Sequence, residues 1–151
     1  MRQGTRSPRQ TVEQFLQATI GGKPGDIADC YAPEVVIEMP FAIEALYPSR
    51  IETTRESLRA RFTAGAPVRR YTSLSDVVVR ETDDPDVIVA EYTLHGEMTA
   101  TGESFASRYV MVITVRDGHI VRSRDYSDPI AGARILGKVP ELVSLLQNGH
   151  A

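Results

Sequence analysis

Asp125, near the end of the alternating run Ile120-Val121-Arg122-Ser123-Arg124-Asp125-Tyr126, is the residue that the sequence best equips to move a proton. Its setting follows from a turn. Arg116-Asp117-Gly118-His119 centres on Asp-Gly, the pair that most readily takes the positive φ angles of a two-residue hairpin loop. With that loop, Arg116 faces His119, Thr114 faces Val121, Val112 faces Ser123 and Val110 faces Asp125. Period two then puts Ala106, Arg108, Val110, Val112, Val121, Ser123 and Asp125 on one face of the hairpin. Tyr109, Met111, Ile113, Val115, Ile120, Arg122, Arg124 and Tyr126 take the other. A carboxylate on a wall of valines and a serine is desolvated, which raises its pKa toward a value useful for proton transfer. Arg108 stands one diagonal step away, and a second reading makes Asp125 its ion-pair partner, ionised and holding the sheet together.

Other polar candidates are fewer. Tyr92, on the interior side of its strand, is placed either to donate its hydroxyl to a ligand carbonyl or to satisfy it within the core. His95 falls by parity on the outer side of that strand, where an interface or solvated role is expected. His119 flanks the turn and His150 lies in the C-terminal tail, both expected exposed. Three scattered histidines without a nearby carboxylate partner argue against a metal site. Glu38 points away from the interior; Glu44 and Tyr47 sit with Phe41 in a loop long enough to cover something. No glycine-rich phosphate loop, Ser-His-Asp order or paired-cysteine motif is present, and no cofactor is expected. Met39, Phe41, Leu94, Val110 and Val112, with Tyr92, Arg108 and Ser123, describe a mainly apolar pocket for a flat or cyclic organic molecule.

The elements that position these residues read as follows. Ser7-Pro8, with Gln10 completing a capping box, opens a first helix that carries Val12, Phe15, Leu16 and Thr19 at helical spacing and ends at Gly21-Gly22. A second, short helix spans about 25–31. A strand covers Val35 to Met39 and stops at Pro40; Phe41 to Glu52 is irregular. Thr53-x-x-Glu56 caps a third helix, with Leu58 and Phe62 on its buried stripe. Strands follow at about 70–82, 86–98, 104–116 and 119–126. Asp128 caps a short helix with Pro129 in its first turn, ending at Gly137. Helices followed by a run of strands give an α+β class, with three N-terminal helices on one face of a curved antiparallel sheet that encloses a cone. The organisation expected is a flexible tail over 1–9, one domain over 10–138 and a helical tail over 139–151. On the outer sheet face, Tyr109, Met111, Ile113 and Tyr126 form an apolar patch suited to a homodimer.

Composition bounds the class. The 151 residues fit one domain that buries roughly 68–70% of its unfolded surface. A net charge of −3 and a pI near 5.6 lack the basic footprint of a nucleic-acid binder. The one cysteine, Cys30, forms no intramolecular disulfide and is expected as a small buried hydrophobe. The N-terminus has arginines but no apolar leader, and no run is long enough to span a membrane, so a cytoplasmic protein is expected.

Taken together, Asp26-Ile27 ahead of Tyr31-Ala32-Pro33-Glu34-Val35, then Glu38-Met39-Pro40-Phe41-Ala42, Arg55-Glu56-Ser57-Leu58, Arg116 to Ile120 and Asp125 to Pro129 resemble the SnoaL-like families of the NTF2-like superfamily, over about residues 10–138. The resemblance implies a cone-shaped α+β barrel with a deep apolar pocket, usually dimeric, in a group that includes ketosteroid isomerases and polyketide cyclases. Arg108, Arg122, Arg124, Asp125, Pro129, Arg134, Leu136 and Gly137 look most similar to the phenazine-biosynthesis A/B proteins. That likeness implies an acid's role in a condensation for Asp125. The ketosteroid isomerase apparatus is not matched: its base would fall at Met39, its oxyanion acid near Val110, and the first helix has no tyrosine. The function this implies is a cofactor-independent isomerase, cyclase or condensing enzyme acting on a polyketide-like or aromatic intermediate. A non-catalytic protein that binds an apolar ligand is the alternative.

Overall fold

The computed structural model describes residues 4–149; the arginine at position 2 and His150 lie outside them. Helix α1 (Pro8–Ile20) starts at the expected capping box, where the Ser7 hydroxyl accepts from the Gln10 amide and the Gln10 side chain accepts from the Ser7 amide. Helix α2 (Pro24–Ala28) is shorter than expected, because Tyr31 already belongs to strand β1 (Tyr31–Glu38). Pro33, which lacks an N–H, falls where the register of β1 shifts against its neighbour. The last residues of the expected irregular segment begin β2 (Arg50–Thr54), which runs on through Thr53 and pairs antiparallel with β1. Helix α3 (Arg55–Gly65) is capped by Thr54 rather than Thr53, its hydroxyl accepting from the Ser57 amide.

Four strands follow: β3 (Arg69–Glu81), β4 (Val87–Met98), β5 (Ser104–Arg116) and β6 (His119–Ser127), then α4 (Pro129–Ile135) and α5 (Val139–Gln147). Asp128 caps α4, its carboxylate accepting from the Ile130 and Ala131 amides. The six strands form one sheet in the order β2-β1-β6-β5-β4-β3. It is mixed: β1 runs parallel to β6, and the other pairs are antiparallel. The helices α1 to α3 cover its concave side, where Val12, Phe15 and Leu16 of α1 meet Ile88, Ile113 and Ile120 of the sheet. Cys30 is buried there, and burial pushes its thiol up to about 11, so it stays protonated. No helix among the described residues is long and apolar enough to cross a membrane.

The β5–β6 hairpin turns where expected, with Asp117 and Gly118 both at positive φ. Arg116 faces His119 and Val115 faces Ile120, but then Thr114 faces Arg122. Val121 is therefore an extra residue on β6, a bulge that shifts every later pair by one. Asp125 faces Met111, not Val110, and Ser123 faces Ile113, not Val112. The shift lets Ile120, Ser123 and Asp125 share the concave face with Met111, Ile113 and Val115, while Arg122 and Arg124 turn outward. Without it, two arginines would enter the core beside Met111 and Ile113, at a desolvation cost far above that of one unpaired residue. The patch expected on the outer face is corrected accordingly: Met111 and Ile113 are core, 2% and 0% exposed.

Candidate functional site

Register lays the concave face out in rows. Ile88, Ile113 and Ser123 form one; Ala90, Met111 and Asp125 the next; Tyr92, Tyr109 and Ser127 the third; then Leu94 with Ser107, and Gly96 with Phe105. Gly96 is required in the last row. A Cβ there would stand 2.5 Å from Phe105 Cζ and 2.6 Å from the Arg70 carbonyl oxygen.

Asp125 is the one carboxylate in these rows. Its Oδ1 is sealed from solvent and has no hydrogen-bond partner; the same holds for Ser123 Oγ, one row away. Burial pushes the Asp125 carboxyl up from 3.8 to about 6, although the proximity of the Ser123 hydroxyl favours the charged form. The ion-pair reading fails. Arg108 faces Thr93 on the outer side of the sheet and is exposed, so no guanidinium meets Asp125.

Three buried phenols lie within electrostatic reach of the carboxyl. Tyr31, Tyr92 and Tyr109 each have their pKa raised, mainly by burial, with the Asp125 charge adding to the effect. All three thus remain hydrogen-bond donors across the physiological range. Tyr92 and Tyr109 stack, with ring centroids 5.2 Å apart. The Tyr92 hydroxyl donates only to Met111 Sδ at 3.0 Å, a weak acceptor that a carbonyl oxygen would readily displace. Tyr31 is braced edge-on by Phe15, and its carbonyl accepts from Arg55 Nε at 2.7 Å, which ties α3 to β1.

The remaining expected residues divide by face. Tyr92, Leu94 and Ser123 lie on the concave side, and Met39 continues its alternation two residues beyond Ile37, which faces Ser123. Arg108, Val110 and Val112 lie on the convex side, a correction that follows from the bulge at Val121. Phe41 does not cover the interior: it is 61% exposed and packs edge-on against Tyr126, a convex-face residue. Glu44 accepts from the Ser49 amide and hydroxyl within its own loop, and Tyr47 lies under Lys138, whose Nζ is 4.8 Å from its ring centre. Glu38 points outward, as expected, and is shared by Arg50, Arg122 and Arg124. His95 is convex and contacts Ser75 Oγ at 2.7 Å; His119 Nδ1 is 3.0 Å from the Asp117 carbonyl oxygen of its own turn. No group of three or more His, Cys, Asp or Glu side chains among the described residues is placed to hold a metal ion.

Tyr31 and Tyr109 were not expected at the site. The bulge hides Tyr109 by inverting its face, and Tyr31 is hidden by its place at the boundary where the helical pattern of α2 gives way to β1. A signal existed for the first: the unbulged hairpin put Arg122 and Arg124 among large apolar residues.

A cleft of about 130 Å³ opens at the far end of the cone, between the helices and the start of β3. Ile27, Phe62 and Tyr71 line its walls. None of the expected pocket residues lines it, and Asp125 lies behind the tyrosine layer: Phe62 packs on Tyr31 at 6.4 Å, and the Tyr71 hydroxyl acts electrostatically on Tyr92 and Tyr109.

The sequence profile of the SnoaL-like domain matches residues 12–123. This chain belongs to the SnoaL-like domain family. An uncharacterised PhzA/B-like protein of Pseudomonas aeruginosa is 32% identical to this SnoaL-like chain over 139 residues, covering 92% of the chain and 96% of the relative. Among solved structures, a Bacillus subtilis protein provisionally described as an isomerase shares 26% identity at a TM-score of 0.73, covering 85% and 91% of the two chains. A phenazine biosynthesis-related protein of Pseudomonas aeruginosa shares 17% identity at a TM-score of 0.64, covering 86% and 84%. These likenesses bear out the family and the ketosteroid isomerase-like α+β fold expected from the sequence.

Proposed function

We propose that this SnoaL-like protein is a cofactor-independent isomerase or cyclase for an enolisable cyclic or aromatic ketone of polyketide-like type. The observation that carries the reading is the half-buried Asp125 carboxyl, one oxygen sealed and unpartnered, with three protonated phenols nearby and no basic partner. With its pKa near 6, Asp125 is mostly ionised at neutral pH and acts as a general base. It takes a proton from the carbon beside the substrate carbonyl; the C–H electron pair moves into the enolate, whose oxygen accepts hydrogen bonds from the Tyr92 and Tyr109 hydroxyls. Protonated Asp125 then returns the proton to another carbon, completing an isomerisation. In a cyclisation the enolate carbon bonds to a second carbonyl carbon of the same molecule, and Asp125 protonates the alkoxide formed. Family membership and neighbours described as an isomerase and as polyketide cyclases support this class of reaction. Proton–deuteron exchange at the α-carbon of 2-tetralone in D2O, followed by NMR, tests it. Wild type is expected to accelerate exchange and Asp125→Asn to lose about 10²–10⁴-fold; equal exchange by both proteins would sink the proposal.

One observation favours binding without catalysis: Asp125 does not line the open cleft. In that reading 2-tetralone binds and its exchange is not accelerated.

The convex face supports a homodimer on different residues from those expected. Val110, 38% exposed, adjoins Val112, Val89 and Tyr126 across three strands, with Phe41 extending the patch. A second copy covering this face would leave the Glu38–arginine cluster at its rim.

A further inference from the structure

The open cleft carries a charge pattern that the reaction above does not use. Lys23, Arg61, Arg69 and Arg70 line it, and no carboxylate does, although the chain as a whole has a net charge of −3. Arg70 is engaged by Glu97 across the strand pair. Lys23, Arg61 and Arg69 have no ion-pair partner among the described residues, so three cations face the cleft without a carboxylate to neutralise them. Arg69 is held in place: its Nε donates to the Tyr71 hydroxyl at 3.3 Å, and its guanidinium lies over Gly65, where a Cβ would come within 3.3 Å of it. Beneath the cations the walls are apolar and aromatic.

Resting on the reading of Asp125 as the reacting group, we infer that the cleft binds an anionic substituent of the substrate, a carboxylate or phosphate at one end of an extended aromatic body, through Lys23, Arg61 and Arg69. Guanidinium groups recognise either oxyanion through paired N–H donors, and an apolar floor beneath them selects an anion attached to a ring over a free ion. Asp125 lies in the row of Ala90 and the cleft begins at the row of Gly96, six residues or about 20 Å along β4, with the packed side chains of Tyr92, Tyr109 and Leu94 between them. The anion held in the cleft is therefore at the end of the substrate remote from the reacting carbonyl, and a substrate that reaches Asp125 displaces the tyrosine layer.

The test compares 1-anilinonaphthalene-8-sulfonate, a fluorescent three-ring anion, with its uncharged counterpart N-phenyl-1-naphthylamine. The sulfonate is expected to bind wild type more tightly and to lose affinity with added salt. Arg61→Gln with Arg69→Gln is expected to weaken it by about tenfold or more, since hydrogen bonds to charged groups are lost. Lysine at the same two positions is expected to restore part of the affinity, and the neutral dye is expected to bind all three proteins alike. Displacement of the sulfonate by 2-naphthoate assigns the anion as carboxylate, and by 2-naphthyl phosphate as phosphate. Displacement by neither, or equal loss of both dyes in the glutamine variant, overturns the inference. Asp125→Asn is expected to bind the sulfonate as wild type does, so a failed cleft and a failed proton carrier are told apart: exchange of neutral 2-tetralone reads only the second.

Discussion

Asp125→Asn is expected to stabilise the protein at pH 8 and to leave it nearly unchanged at pH 4. The folded state holds the Asp125 proton more tightly than the unfolded chain does, because burial raises its pKa from 3.8 to about 6. A raised carboxyl favours the folded state at low pH. Its cost is fully present above the folded value, is relieved as pH falls through about 6, and is gone below 3.8. At one pKa unit per 1.36 kcal/mol, the ionised carboxylate costs about 3 kcal/mol at pH 8, of which about 0.5 kcal/mol remains at pH 4. Asparagine keeps the shape and removes the charge. Effects of the amide on packing are present at both pH values and cancel in the difference between them. For a chain of this size, 3 kcal/mol corresponds to about 6–12 °C in Tm. Thermal melts of wild type and variant at the two pH values read this directly. If Asp125 were the partner of a buried guanidinium, the sign would reverse, and the variant would lose about 3–5 kcal/mol at pH 8. A destabilised variant at pH 8 would therefore refute the reasoning.

Three further outcomes are expected. Tyr109→Phe and Tyr92→Phe each remove one enolate donor and are expected to lower 2-tetralone exchange by about 10²–10³-fold in kcat with little change in KM, measured by steady-state kinetics; a loss confined to KM would count against the donor role. Val110→Glu places a charge in the convex apolar patch, beside Glu91 and Tyr126, and is expected to weaken self-association in sedimentation without lowering the melt, whereas an unaltered dimer would remove this face from consideration. Gly96→Ala meets Phe105 and the Arg70 carbonyl oxygen, and is expected to cost about 1–3 kcal/mol in chemical denaturation. A neutral effect there would mean that the sheet opens at its wide end without penalty.

The sequence is legible where local chemistry decides the structure. The Ser7 and Asp128 caps and the Asp117-Gly118 turn are set by hydrogen bonds and φ preferences within a few residues, and they appear as expected. The long strands and the three helices over the concave side followed from periodicity. What was not legible depended on partners far along the chain. Pairing of β1 with β6 in parallel, and β2 within an apparently irregular loop, are tertiary choices. The bulge at Val121 matters most. One unpaired residue exchanges the faces of β5 relative to β6, moving Arg108, Val110 and Val112 outside and Met111, Tyr109 and Ile113 inside. Asp125 keeps its interior place because it sits beyond the bulge on the strand that carries it. The conflict was visible as two arginines sharing a face with a methionine and three aliphatics, and burial energetics resolves it in favour of the bulge. The cleft cations come from the cap of α2, from α3 and from the start of β3, and no local pattern encodes the approach of Lys23 to the other two segments.

The pH dependence of kcat/KM for 2-tetralone exchange tests the role of Asp125 most directly, because it reports the ionisation of the essential base in the free protein. The expected profile rises through an inflection near 6 and reaches a plateau, and the inflection is absent from the residual activity of Asp125→Asn. A profile flat from pH 5 to 8 in the wild type, or one whose inflection persists in the asparagine variant, would contradict the assignment of Asp125 as the proton carrier.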